Sequence, residues 1–183
     1  QRETVPRYFE GFGKRPDNFQ YESDIIEQVR KGATSFHCSE ELWRDPLELS
    51  TGQSEKDFNE LRIGWDLLLD VDSPYLEYSK IYAQLLVEAL DFHGVKNLNV
   101  KFSGSKGFHI IVPWKAFPKQ VYGQETRKMF PEFPRLICQY LSEIIKPKLI
   151  EKIYAGNLKE IAKKSGRKEE DLLVMECNVC HRP

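Results

Sequence analysis

The sequence predicts an α/β or α+β domain built around a mixed β-sheet. Of the two, the α+β form with helices flanking the sheet is the class we expect. Three observations carry this expectation. Segments with helical spacing of apolar residues alternate with short apolar runs of strand length. The 183 residues are 40% apolar and include 11 Phe, 8 Tyr and 3 Trp, enough for a real core. Mean hydropathy is -0.53, and no apolar run approaches the roughly 18 residues that a membrane span needs.

Taken in order, residues 1–20 are polar and mixed and read as loops and short turns. Ser23 is placed to cap a helix over 24–31, with Ile25, Ile26 and Val29 on one face and Gly32 just beyond. Thr34–Cys38 reads as a strand, Glu40–Trp43 as a short helix and Gln53–Asn59 as a polar connector. Arg62–Asp72 reads as one long strand, buried on at least one face. Residues 76–93 show helical spacing through Ile81, Leu85, Leu86, Ala89 and Leu90, and Gly94 is a natural stop. Leu98–Phe102 and Phe108–Val112 read as two strands joined by a glycine-containing turn. An irregular loop over 114–131 precedes a helix over about 134–154, in which Pro147 predicts a kink. A second helix over 156–164 and a short strand over 172–175 complete the expectation.

The net charge of -1 excludes a uniformly basic nucleic-acid binder, but it hides an asymmetry. Residues 1–75 carry 9 basic and 16 acidic side chains, residues 76–168 carry 17 and 8, and residues 169–183 carry 1 and 4. Such a division suits divalent cations held beside a surface that faces phosphates, although solvated faces also produce it. Four Cys are too few for a disulfide scaffold, and no signal-peptide pattern opens the chain. These features point to a reducing compartment, cytoplasmic or nuclear, with no secretion and no membrane partner.

Two constellations carry chemistry. In a strand alternate residues share a face, so Asp70 and Asp72 point the same way with Cα atoms roughly 6.6 Å apart. Carboxylates that close repel one another, and a divalent cation relieves the repulsion. Asp66 lies on the same face but about 13 Å up the strand, so a structural role, paired with Arg62, suits it better. Asp72-Ser73-Pro74 is also good turn chemistry, and a lone Asp-x-Asp is common. The second constellation is Ser103-Gly104-Ser105-Lys106-Gly107-Phe108-His109. Glycines admit an anion close to backbone N–H groups, while hydroxyl, ammonium and imidazole groups donate to phosphate oxygens. A strand rather than a helix follows, so this is not a Walker loop; an ordinary hairpin turn reads equally well.

The two motifs together, in this order, resemble those of the archaeo-eukaryotic primase superfamily. The closest resemblance is to the catalytic small subunit of archaeal-type DNA primase and related primase-polymerases. It covers residues 60–113, with weaker traces at Arg7–Phe9 and Thr34–His37. The resemblance implies an RRM-like primase palm that joins nucleoside triphosphates on single-stranded DNA by two-metal catalysis. Carried over by position, Asp70 and Asp72 hold Mg²⁺ or Mn²⁺. Ser103, Lys106 and His109 hold the triphosphate, with Gly104 and Gly107 shaping the loop. The implied partners are a single-stranded template, nucleoside triphosphates and a primase large subunit or other replication protein. Template contact is expected to be phosphate-directed and salt-sensitive, with Lys146, Lys148, Lys163, Lys164, Arg167 and Lys168 as available charges.

One departure matters. The family's third metal-binding aspartate has no good equivalent here, since Glu176 precedes Cys177 and matches poorly. The expected division is therefore an incomplete palm domain over 1–176 and the start of a zinc module over 177–183. Cys177-x-x-Cys180 has the spacing of a first zinc knuckle, and a structural Zn²⁺ needs further ligands. Two other functions stay open: a non-catalytic nucleic-acid-binding subunit or fragment that needs a partner, and an Asp-x-Asp glycosyltransferase. The latter would bind a nucleotide sugar, with triphosphate binding independent of Ser103, Lys106 and His109.

Overall fold

The computed structural model describes residues 1–155 together with residues 162, 163, 166 and 168. In chain order the elements are β1 (Thr4–Arg7), α1 (Glu22–Arg30), β2 (Ser35–Cys38), β3 (Glu41–Trp43), α2 (Glu55–Leu61), β4 (Arg62–Trp65) and β5 (Leu67–Val71). Then come α3 (Leu76–Phe92), β6 (Asn99–Phe102), β7 (Phe108–Val112), β8 (Gln120–Val121), β9 (Gln124–Glu125) and α4 (Glu132–Ala155). The protein is α+β. Among the described residues the strands form four small sheets, β1–β2, β3–β4, β5–β7–β6 and β8–β9, rather than one. The pairs β1–β2, β3–β4, β6–β7 and β8–β9 are antiparallel. The chain divides into two compact units, Gln1–Leu68 with Val112–Pro134, and Leu69–Ile111 with the chain from Arg135 onward.

The first unit is organised around Trp65, which is fully buried. The rings of Trp114, Phe117, Phe130 and Phe133 lie 4.7–6.3 Å from it. Its indole N–H donates to the Thr126 carbonyl at 3.0 Å, which satisfies the one polar atom that burial would otherwise strand. Gly64 belongs to this cluster: a Cβ there would stand 2.5 Å from Trp114 Nε1. Beside it the buried Arg62 guanidinium donates to Glu41 Oε1 at 2.8 and 3.0 Å and to the Asn59 side chain. It also stacks over the Trp43 and Phe130 rings at 5.3 and 5.2 Å, where its planar cation meets the negative ring faces.

Arg62–Asp72 is two strands rather than one. Asp66 interrupts it: its carboxylate accepts the Trp114 N–H at 2.9 Å and pairs with Arg2, and its own N–H donates to the Glu40 carbonyl at 3.0 Å. The role of Asp66 is structural, but its partner is Arg2, because Arg62 is taken by Glu41. The N-terminal loop region contains β1, paired with β2, and Glu41–Trp43 is a strand against β4, not a helix. Gln53–Asn59 is largely the helix α2. Ser54 Oγ accepts the Asp57 N–H while the Asp57 carboxylate accepts the Ser54 N–H, a reciprocal cap for the helix start.

Helix α1 begins one residue before Ser23. Its entry is held by Asp24, whose carboxylate accepts the amides of Gln20 and Tyr21. None of its residues is buried, and Ile25, Ile26 and Val29 are all exposed. The 114–131 loop folds partly into the β8–β9 hairpin, where Tyr122 and Gly123 both take positive φ, as a two-residue type I′ turn requires.

In the second unit Leu69, Val71 and Ile110 of the sheet are buried, as are Leu85, Leu86 and Leu90 of α3 and Leu141, Ile145, Leu149 and Ile153 of α4. Each such side chain contributes about 1.5–3 kcal/mol by leaving water. Tyr82 with Ser142, Lys148 with Glu88, and Tyr140 with His93 tie α4 to the α3 segment. The helix α4 includes Pro147 in its interior. The predicted strand over 172–175, most of the predicted 156–164 helix and the 177–183 segment lie outside the described residues.

Two outcomes are expected. Gly64→Ala forces a methyl group into the Trp114 ring and lowers stability by about 1–3 kcal/mol, read from the urea unfolding midpoint. Burial, opposed by Arg62, holds the Glu41 carboxyl above its ordinary value, so the folded chain binds this proton more tightly than the unfolded chain. That contribution is fully present below the unfolded value and is lost as pH rises through the folded one. Glu41→Gln removes the loss, so the stability of the variant relative to the parent rises from about pH 4 toward neutrality in denaturation titrations.

Candidate functional site

The candidate residues all belong to the second unit, on the three-stranded sheet β5–β7–β6 and the turn after β6. β5 ends in alternating burial, with Leu69 and Val71 inside and Asp70 and Asp72 exposed. The period of two therefore points both carboxylates to the same solvated side, as the sequence pattern requires. β7 is the central strand and presents His109, half-buried, beside the fully buried Ile110. His109 Nε2 lies 3.4 Å from Asp70 Oδ1. That is an electrostatic approach rather than a close hydrogen bond.

The turn 103–107 closes with the Ser103 N–H donating to the Gly107 carbonyl at 3.0 Å. Gly107 is buried against the end of β5. A Cβ on it would stand 2.5 Å from the Val71 carbonyl oxygen, 2.9 Å from Ser103 Oγ and 3.3 Å from Asp72 Oδ1. Its missing side chain is thus what lets the Ser103 hydroxyl and the Asp72 carboxylate flank one point of the turn. Gly104 serves a different purpose: its φ is +104° and open space surrounds it, so it supplies the turn's backbone conformation alone. Lys106 and Ser103 are exposed on the turn, and Lys106 makes no ion pair with any described residue.

The fold therefore brings Asp70 to His109, and Asp72 to Gly107 and Ser103. Two carboxylates and a serine hydroxyl on one open face are an oxygen donor set of the kind that hard cations such as Mg²⁺ and Mn²⁺ take. Ser103 Oγ and Asp72 Oδ1 both lie within 3.3 Å of where a Cβ on Gly107 would stand, so the hydroxyl and the carboxylate are close to one another at the turn. Among the described residues no group of three His, Cys, Asp or Glu side chains is close enough to hold a metal unaided. Cys177 and Cys180 lie outside those residues. So do Lys164 and Arg167 of the basic set, while Lys146, Lys163 and Lys168 are exposed and Lys148 is paired with Glu88. One further residue was missed in the sequence. Lys101 stands directly opposite His109 across the β6–β7 pair. Its signal was its position two residues before Ser103, on the same strand face.

Gly107→Ala and Gly104→Ala separate the two glycine roles. Both lower stability, Gly104→Ala by about 1–2 kcal/mol through backbone strain alone. Only Gly107→Ala presses on fixed backbone at Val71 and on Asp72, so it is expected to lower the urea unfolding midpoint more than Gly104→Ala does.

No protein-family model matches the chain. The chain is similar to the uncharacterized protein MJECS07 of Methanocaldococcus jannaschii, with 26% identity over 120 residues. The match covers 64% of this chain and 26% of that protein, so the chain spans about a quarter of the length of the relative it matches.

Proposed function

We propose that this chain is a template-dependent nucleotidyltransferase module of the DNA primase and primase-polymerase kind, with β5–β7–β6 and its helices as an RRM-like palm. The observation that carries the reading is the convergence of Asp70 on His109 and of Asp72 on the Ser103–Gly107 turn. Residues from two motifs more than 30 positions apart meet on one solvated face, which an isolated Asp-x-Asp turn would not require.

In this reading Asp70 and Asp72 hold Mg²⁺ or Mn²⁺. The bound ions would supply neutralisation of the triphosphate and activation of a primer 3′-hydroxyl. Ser103 donates its hydroxyl to a phosphate oxygen, and Lys106 on the open turn adds a compact positive charge. His109 donates a ring N–H to the same anion, with Asp70 next to it orienting the imidazole. Gly104 and Gly107 let the turn backbone approach the phosphates. The bond formed joins the 3′-oxygen to the α-phosphorus, and pyrophosphate departs. A single-stranded DNA template is held through its phosphates by the basic side chains after residue 76. A third carboxylate, a zinc module completed beyond Cys177 and Cys180, and a large-subunit partner belong to the same proposal.

A second reading has one observation in its favour. Among the described residues no third acidic side chain joins Asp70 and Asp72. A non-catalytic subunit would keep the fold and the nucleic-acid contacts and depend on another chain for chemistry. Primer synthesis on single-stranded template with Mn²⁺ decides between them. The double variant Asp70→Ala/Asp72→Ala is expected to lower synthesis by at least about a hundredfold. Synthesis that survives this change would refute the catalytic assignment. Template binding without any synthesis by the parent chain would favour the second reading.

A further inference from the structure

The β6–β7 register extends the site by one residue that neither motif contains. Lys101 is the cross-strand partner of His109, and Phe102 that of Phe108. Directly opposed residues of an antiparallel pair share a face, with Cβ atoms about 4.5–5.5 Å apart. The central strand carries His109 toward Asp70 on its other side, at 3.4 Å. Asp70, His109 and Lys101 therefore form a row across three strands: carboxylate, imidazole, ammonium. With neighbouring strands about 4.8 Å apart, the row is roughly 10 Å long.

The chemistry of the row is graded. At one end Asp70 and Asp72 concentrate negative charge, which suits a cation. At the other end stands an exposed lysine with no ion pair to any described residue. Lys96 and Lys148 of the same unit are by contrast paired with Asp91 and Glu88. The strand residues beside Lys101 point the other way, with the Phe102 ring against that of Phe108. Lys101 is thus held on the site face by the strand alternation and the register. An extended polyanion lying along the row meets the cation site with one end and this ammonium with the other.

We propose that Lys101 binds the terminal phosphate of the incoming nucleotide and so makes the site prefer triphosphates to di- and monophosphates. The proposal rests on the nucleotidyltransferase reading above and adds the residue that measures phosphate-chain length. An ammonium offers three donors and no acceptor, so it rewards a dianionic terminal phosphate and gains little from a shorter chain that stops short of it.

The test is calorimetric binding of a nucleoside tri-, di- and monophosphate with Mn²⁺ to the parent chain, Lys101→Gln and Lys101→Arg. Fluorescence binding of a single-stranded oligonucleotide runs in parallel. The exposed edge position lets both variants fold, which equal urea midpoints verify. Lys101→Gln is expected to weaken triphosphate binding roughly ten- to a hundredfold, the loss of one charge-assisted hydrogen bond, while monophosphate binding changes less than about threefold. Lys101→Arg is expected to restore most of the triphosphate affinity. Equal weakening of all three nucleotides, or none, overturns the assignment while leaving the nucleotide site standing. So does a loss of oligonucleotide affinity with triphosphate affinity intact. A parent chain that binds no triphosphate with Mn²⁺ overturns the functional reading and the role of Lys101 together.

Discussion

The contact between Gly107 and the carbonyl of Val71 governs the candidate site. A turn after one strand is pressed onto the end of another at a distance that no side chain can occupy. Because the contact is backbone on backbone, rotamer changes cannot relieve it. It fixes where Ser103 stands relative to Asp72, and it sets β7 so that His109 reaches Asp70. The chemistry is exposed to solvent, but the positioning is buried beneath it, with Leu69, Val71 and Ile110 as the floor. A rigid floor under charged groups is what a site needs when its ligands are anions and cations that repel or attract over several ångströms.

The first unit also holds charged groups against a packed interior. Arg62, Glu41 and Asn59 place polar groups among aromatic rings, and Asp66 places a carboxylate next to the same cluster. A buried pair of this kind contributes little net stability, but loss of one partner strands a charge. Its effect here is topological. The Asp66 carboxylate ties the chain to Arg2 and to the Trp114 N–H at the residue between the end of β4 and the start of β5. The chain then leaves one sheet and enters another. β5 begins at Leu67 and carries Asp70 and Asp72 on its exposed side.

Much of the second unit was legible in the sequence, because its elements are long or strictly alternating. The α3 helix, its Gly94 stop, the β6–β7 hairpin and the face shared by Asp70 and Asp72 all follow local periodicity. The first unit was read less well. β1 and β3 are four and three residues long and acquire their conformation from partners far along the chain. α2 was overlooked although Ser54 and Asp57 spell out its cap, since its polar composition masked the signal. The break at Asp66 was invisible because apolar residues flank it on both sides and its partner Arg2 lies 64 positions away. The role of Lys101 depends on register, which a sequence read strand by strand does not supply.

Helix α1 carries a consequence for how the protein opens. It buries none of its residues, and the side-chain ties of the described residues are few: Asp24 at its entry, the exposed Glu27–Lys31 pair at its end and the Tyr8 hydroxyl donating to Gln28 at 2.6 Å. A nine-residue helix has little intrinsic stability in water, and this one gains little from packing. Its amides therefore exchange with solvent through local opening, at a free energy well below that of the Trp65 cluster. Among the described residues, resistance to opening is therefore graded, lower at this helix than at the Trp65 cluster.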